Sequence, residues 1–218
     1  MKKSFLLLLL SPLFLLAQKS YQYSLSLNNV TNDQIHVTLV PPAIEGKEIK
    51  FSFPKIVPGT YSISDYGRFI ENFNAYDNKG IKIETQTSGL NAWIIDNTKG
   101  ISKVEYDLND TYDSKLDNPI FEPAGSDIEK DSIYMLNLHC LLGYFQNKME
   151  APIELTVQHP SMFYGSTSLV DKDPSTTSDV FVIENYNEAV DNPIMYTIPD
   201  TAIVKVGSSN VLISVFSK

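Results

Sequence analysis

The sequence predicts an all-β fold, an antiparallel β-sandwich of many short strands with one or two short helical turns. Three observations predict it: apolar and polar residues alternate along much of the chain, turn-forming residues separate these stretches, and helical periodicity is weak. Alternation over a few residues is typical of a strand with one buried face. Turn signals spaced roughly 8–12 residues apart favour a sandwich.

Eight stretches alternate in this way and are predicted to be strands: 21–27, 34–40, 48–53, 81–85, 101–108, 153–157, 180–184 and 211–216. Asn78-Lys79-Gly80 predicts a hairpin with a three-residue loop, in which Gly80 takes the left-handed conformation.

Other segments are less regular. Residues 64–73 are predicted to hold a helical turn capped by Ser64 or Asp65, and residues 184–190 a second turn before Pro193. The apolar run 133–145 is interpreted as strand–turn–strand around Gly143. The remaining irregular segments are interpreted as surface loops, over 107–131 and 172–178.

The first 17 residues form a predicted secretory signal peptide. Two lysines precede an apolar run from Phe5 to Leu16, and Ala17 stands just before a plausible cleavage point. Twelve residues cover about 18 Å as a helix, short of the ~30 Å hydrocarbon core of a bilayer. We therefore expect no stable membrane span, one β-sandwich domain over residues 18–218, and an extracytoplasmic (periplasmic or secreted) location.

Charge and cysteine content exclude several functions. The net charge is −9 and the pI about 4.8, so the chain does not neutralise phosphates in bulk and no nucleic-acid partner is expected. With Cys140 as the single cysteine, an intramolecular disulfide is impossible, and we expect this thiol to be a buried small apolar group.

Few residue patterns point to catalysis or metal binding. The three histidines, His36, His139 and His159, are not spaced as His-Glu-x-x-His, and no Gly-x-Ser-x-Gly motif is present. Two acidic stretches, 109–113 and 171–175, place oxygen ligands close together, but a solvated loop explains them better than a calcium site. Trp93 is interpreted as a core aromatic rather than a sugar-binding platform.

The segment 53–75 is dense in special residues. Pro58-Gly59 predicts a type II turn, since proline presets φ and glycine supplies positive φ at the next position. Asp65 and Arg68 are three residues apart, which allows an ion pair across one turn. Because Arg68 is the single arginine, we expect a specific multidentate contact, more readily an internal tie than a substrate contact.

Three blocks of residues carry a family resemblance. The first contains Pro58, Gly59, Thr60, Tyr61, Asp65, Tyr66, Arg68, Ile70 and Ala75; the second contains Gly80, Trp93, Val104 and Tyr106; the third contains Phe181, Asn185, Tyr186, Val190, Asp191, Pro193 and Ile194. Together they resemble the N-terminal domain of the glycyl aminopeptidase family of zinc metallopeptidases, peptidase family sixty-one of the metallo class.

The resemblance implies a β-sandwich followed by a thermolysin-like catalytic domain that carries His-Glu-x-x-His and a further Glu as zinc ligands. The sequence ends at Lys218 without that motif, so no catalytic residue, metal ligand or cofactor is assigned within it. Zinc is expected in the catalytic domain, which would be the partner of this chain, and peptide substrate would be reached through that domain. The expected role is to pack on the catalytic domain and wall one side of its cleft.

Two alternatives stay open. One is a free-standing extracytoplasmic module that binds carbohydrate or peptide on the same sandwich. The other is an independent hydrolase that uses paired carboxylates, whose partners meet only in the folded protein. Fold alone does not separate these functions.

Overall fold

A computed structural model describes residues 19–173 and 175–217 of the chain. The predicted signal peptide lies outside these residues. Within them the strands are β1 (Tyr21–Ser26), β2 (Gln34–Val40), β3 (Glu48–Ser52), β4 (Ile70–Asp77), β5 (Lys82–Ile83), β6 (Thr85–Thr87), β7 (Ala92–Asp96), β8 (Ile101–Asn109), β9 (Asp127–Glu129), β10 (Ile133–Leu136), β11 (Tyr144–Phe145), β12 (Ile153–Gln158), β13 (Tyr164–Ser166), β14 (Ser178–Ile183), β15 (Ile194–Thr197), β16 (Asp200–Val206) and β17 (Ser209–Val215).

Helical structure is limited to short segments. In the described part of the chain, these are the α-helices α1 (Leu138–Leu141) and α2 (Tyr186–Asp191) and the 3-10 turns η1 (Tyr66–Phe69) and η2 (Glu122–Ala124). The Asn185 side chain accepts hydrogen bonds from the backbone N–H groups of Asn187 and Glu188, which caps α2. No helix among these residues is long and apolar enough to cross a bilayer.

The strands form a sandwich, so the predicted all-β class is confirmed. A seven-stranded sheet has the order β14-β12-β1-β2-β8-β4-β5, and two four-stranded sheets have the orders β13-β15-β10-β9 and β11-β3-β7-β6. The β1–β12 pair is parallel, and the other strand pairs of these sheets are antiparallel.

The inner face of the large sheet supplies one side of the core. Alternate residues of its central strands are buried, as the sequence pattern predicts: Tyr23 and Leu25 on β1, Val37 and Leu39 on β2, Val104, Tyr106 and Leu108 on β8, and Leu155 and Val157 on β12. The small sheets cover this face. Phe51 on β3 packs on Tyr106, with ring centroids 6.1 Å apart, and the Tyr134 hydroxyl on β10 donates to the Leu27 carbonyl at 3.2 Å.

Two sequence interpretations need correction, and a third is confirmed. In residues 133–145, α1 separates two strands, because Leu138–Leu142 is buried throughout and gives no periodicity to interpret. The single helical turn predicted within 64–73 is confirmed as η1, and it ends at Phe69 because Ile70 begins β4 and pairs with Leu108 on β8. Residues 107–131 are not one surface loop, because the segment starts in β8, ends in β9 and buries Asp110, Thr111 and Ser126.

The predicted hairpin at 78–80 is confirmed. Gly80 has φ +75°, and its N–H donates to the Asp77 carbonyl at 3.0 Å. The Asp77 carboxylate accepts hydrogen bonds from the backbone N–H groups of Ile81 and Lys79, and these bonds lower the pKa of Asp77.

Candidate functional site

The residues of the first family-signature block from Pro58 to Arg68 lie on one folded loop, residues 53–69, which we call the signature loop. It connects β3 to β4 and begins with the buried Phe53. The last two residues of the block, Ile70 and Ala75, lie on β4. The type II turn predicted at Pro58-Gly59 is present: Gly59 has φ +90°, and the Thr60 N–H donates to the Val57 carbonyl at 3.3 Å.

The signature loop closes on itself. The backbone N–H groups of Ser64 and Asp65 both donate to the Lys55 carbonyl, at 2.8 and 2.9 Å, and that of Tyr66 donates to Pro54 at 3.2 Å. These bonds bring the two ends of the loop together, as in a compact Ω-loop.

At the tip of the signature loop, Tyr61 has φ +54° and is 95 % exposed. A bulky residue in this conformation is uncommon, and such positions cluster at functional sites.

The Asn91 side chain forms hydrogen bonds with two residues in the second half of the signature loop. Its side-chain NH₂ donates to Asp65 Oδ1 at 2.6 Å, and its Oδ1 accepts the Gly67 N–H at 2.9 Å. The backbone approach is close, since a Cβ at Gly67 would lie 2.5 Å from Asn91 Cα. Sequence reasoning missed Asn91, although it stands two residues before the signature residue Trp93.

The predicted roles of Asp65 need correction. Asp65 does occupy the position before η1, but its side chain makes no capping bond there and contacts Asn91 instead. The ion pair predicted between Asp65 and Arg68 is not among the salt bridges of the described residues.

The multidentate contact predicted for Arg68 is made to backbone carbonyls. Its Nη1 donates to Asp117 O at 2.5 Å and its Nη2 to Asn118 O, while the guanidinium lies 4.7 Å from the centroid of the Phe69 ring. The Asn118 side chain donates to the Ile63 carbonyl at 3.2 Å. Residues 117–118 are therefore joined to the signature loop at two points, and Arg68 acts as an internal tie.

Buried hydrogen bonds hold the chain on either side of residues 117–118. The Asp110 carboxylate accepts backbone N–H groups of Tyr112, Asp113 and Ile128, although burial raises the pKa of Asp110 overall. Thr111 and Ser126 exchange hydrogen bonds across the base of the segment. Residues 117–118, whose backbone carbonyls accept the Arg68 hydrogen bonds, are thus held by hydrogen bonds on both sides.

Tyr66 packs the signature loop against α1. Its ring is fully buried and meets the His139 ring edge to face, with centroids 4.7 Å apart. His139 Nε2 lies 2.9 Å from the Ala124 carbonyl, which can only accept, so the proton of the neutral ring is on Nε2. Burial lowers the pKa of His139 and raises that of the adjacent Cys140 thiol to about 12, and the predicted burial of Cys140 is confirmed.

This histidine makes the stability of the domain depend on pH. The unfolded chain binds the His139 proton near pH ~6.5, whereas the folded protein binds it only at lower pH. Over that interval the unfolded state holds more protons, so the free energy of unfolding rises with pH and levels off above pH ~6.5. We expect urea titrations between pH 5 and 7.5 to show this rise and His139→Gln to reduce it. The exposed His36→Gln variant is the control; an equal rise in wild type and His139→Gln would contradict the account.

The signature loop and its neighbours expose large apolar side chains. We call this group the signature face: Ile56, Tyr61 and Ile63 on the signature loop, Leu90 beside Gly67, and Leu116 and Phe121 on either side of residues 117–118. Because these exposed apolar side chains lie on segments that hydrogen bonds hold together, the signature face is the candidate interaction surface.

The other signature residues lie apart from this face. Trp93 is buried on β7 and stacks on Phe73 at 4.6 Å, which agrees with its interpretation as a core aromatic. Asp191 ends α2, and Pro193 follows it; both are exposed. Helix α1 packs against both α2, which ends at Asp191, and η1, which belongs to the signature loop. It therefore connects these two groups of signature residues.

The described residues contain no group of three His, Cys, Asp or Glu side chains arranged to hold a metal ion. In the acidic stretch 171–175, Asp171 Oδ1 accepts the N–H groups of Asp173 and Val180, and Asp173 Oδ1 accepts that of Ser175. These carboxylates shape the loop.

A solved structure shares this fold. An aminopeptidase N family protein from Idiomarina loihiensis is 17 % identical, with a TM-score of 0.78; the match covers 91 % of this chain and 32 % of that protein. An M1 zinc metallopeptidase from Deinococcus radiodurans is 11 % identical, with a TM-score of 0.46 and coverages of 90 % and 46 %. The chain thus spans about a third of the first protein and less than half of the second. No curated protein matches the sequence.

The family comparison covers most of the chain. A sequence model described as the Peptidase M61 N-terminal domain matches residues 22–198, which include all three signature blocks. A match of this extent shows that the chain belongs to the Peptidase M61 N-terminal domain family.

Proposed function

We propose that this chain is the non-catalytic N-terminal module of a secreted, zinc-dependent aminopeptidase. In this role the signature face packs against a thermolysin-like catalytic domain and walls one side of its substrate cleft. The family membership supports a peptidase context. The observation that carries the packing role is the signature face itself, which includes Tyr61, 95 % exposed at a positive φ, and five further exposed apolar side chains.

In this role the chain contributes a pre-ordered docking surface. Asn91 and Arg68 fix the signature loop through buried or short hydrogen bonds, so its backbone is ordered before a partner binds. A surface that is already ordered loses less conformational entropy on binding. Zinc and the general base would come from the catalytic domain, and peptide substrate would meet this chain only at the shared cleft.

The proposed location is extracytoplasmic, after cleavage near Ala17. The two lysines and the apolar run before that residue support this proposal. A protein lacking paired cysteines depends on core burial for its stability there, and the aromatic core provides that burial.

Charging the signature face of the full-length gene product tests the packing role. We expect Tyr61→Asp with Ile63→Asp to lower aminopeptidase kcat/KM by about tenfold or more, as expected when an interface centre loses its apolar contacts. The same pair in this chain alone should leave the unfolding midpoint unchanged, because both side chains are exposed.

The matched control places aspartates at Val170 and Val182, which are also exposed apolar residues. This control should retain activity. Full activity in the Tyr61/Ile63 variant would contradict packing through the signature face.

The second candidate is the free-standing binding module. It is favoured by a polar depression of about 480 Å³ on the outer face of the large sheet, lined by side chains that include Ser24, Thr38 and Asp107. Saturable binding of a soluble glycan or peptide by this chain alone, lost in Asp107→Ala, would support that candidate.

A further inference from the structure

Burial of the chain in the packed domain stops at residue 198. Thr197 at the end of β15 is 1 % exposed, whereas Ile198 is 60 % exposed, and every residue of the following strand β16 is exposed. Among the described residues, the hydrophobic core includes none from 199 onward. The family match also ends at residue 198. Residues 200–215 therefore form a hairpin that lies outside the packed domain.

The two faces of this hairpin differ. Paired residues of antiparallel strands share a face, so the register places Ala202 with Ile213, Val204 with Val211, Val206 with Ser209, and Asp200 with Val215 on one side. We call this side the apolar face. The other side alternates apolar and polar pairs: Ile203 with Leu212, Thr201 with Ser214, and Lys205 with Asn210.

The hairpin meets the rest of the protein through its mixed side. Ser214 Oγ lies 2.6 Å from Ser166 Oγ on β13, within hydrogen-bond distance. The valines and isoleucine of the apolar face remain 44–61 % exposed. A two-stranded hairpin is at best marginally stable alone in water, and apolar strands with open edges tend to associate.

We infer that the β16–β17 hairpin is the first part of the domain that follows, and that this domain covers its apolar face. The occupant proposed is thus the next segment of the same polypeptide, so the inference rests on the proposed function. The Idiomarina loihiensis structure of the same fold supports this choice, because the match with this chain covers only 32 % of that protein, which continues well beyond the shared domain in length.

Interface size favours a tethered partner over a second copy of the chain. Six aliphatic side chains are few beside the roughly 20–30 residues per side of a stable interface between free proteins. A covalently linked domain needs less surface, since the linker gives an effective concentration on the order of millimolar.

Hydrogen exchange tests the inference. In this chain alone, the amides of β16 and β17 should exchange quickly; in the full-length gene product they should be slowed by about a hundredfold or more, as for a strand pair within a folded sheet. Equally fast exchange in both would overturn the inference. Slow exchange in this chain, together with a concentration-dependent dimer by light scattering, would identify a second copy as the occupant and also overturn it.

Charge variants locate the covered side. Val204→Asp with Val211→Asp should lower the unfolding midpoint of the full-length product but leave that of this chain unchanged. The neighbouring pair Ile203→Asp with Leu212→Asp, on the mixed side, is the matched control and should have a smaller effect. A larger effect of the control pair would contradict the assignment of the apolar face.

Aminopeptidase activity of the wild-type product separates this inference from the proposed function. An active enzyme with fast-exchanging hairpin amides would refute the inference alone. Slowed amides in an inactive product would refute the proposed function alone. A gene product that ends at Lys218 would refute both.

Discussion

The Phe51→Ala variant is expected to lose about 3–5 kcal/mol of unfolding free energy, the largest effect of any single substitution considered for this chain. Phe51 is fully buried on β3, and its ring contacts Phe53, Phe73, Tyr106 and Phe145 at centroid distances of 5.0–6.1 Å. Because Tyr106 belongs to the large sheet, this cluster joins the two layers of the sandwich. Alanine would leave a cavity between them that rigid strands cannot close.

Urea unfolding followed by tryptophan fluorescence measures this loss, since Trp93 packs on Phe73 in the same cluster. Phe121→Ala is the control: the same residue type, 66 % exposed, should change stability by no more than about 0.5 kcal/mol. Equal losses in the two variants would mean that the two sheets do not pack through Phe51.

The Asn91→Ala variant is expected to lose about 2–3 kcal/mol, the second largest effect. It removes the acceptor of the Gly67 N–H, which is buried, and the donor to Asp65. A buried donor left without a partner costs roughly 1–3 kcal/mol, and the Asp65 carboxylate loses a charge-assisted bond as well.

The loss of Asn91 should also loosen the signature loop selectively. Hydrogen exchange of residues 53–69 should accelerate, while that of β1, β2 and β12 should change only by the global loss of stability. The control Asn187→Ala alters an exposed asparagine on α2 and should leave the signature loop unchanged. Unchanged exchange in the loop of the Asn91 variant would show that Asn91 does not hold it.

The parts of the fold that the sequence predicts are those with local causes. Alternation identifies β1, β2, β8 and β12 because one face of each is buried, and the 78–80 hairpin follows from its glycine. Strand β4 was missed because Ile70–Asp77 does not alternate cleanly and is held by pairing with the distant β8. Strand β16 was missed although it is strongly apolar.

In the candidate site, too, the sequence predicts the features with local causes and not the contacts between distant residues. Pro58-Gly59 predicts its turn locally, and the uniqueness of Arg68 predicts a specific contact. The partners of Arg68, however, are backbone carbonyls about fifty residues away, and carbonyls leave no signal in the sequence. Asn91 and His139 likewise join the site only through folding. The sequence spacing of Asp65 and Arg68 allowed an ion pair between them, because local spacing is the only geometry that a sequence provides.

Metal content and activity, measured together on the two forms of the protein, test the central claim most directly. This chain and the full-length gene product would be purified without chelator, analysed for zinc and assayed on glycyl and alanyl substrates. The account predicts about one zinc and aminopeptidase activity in the full-length product, with neither in this chain. Stoichiometric zinc with hydrolysis by this chain alone, or an inactive full-length product, would contradict it.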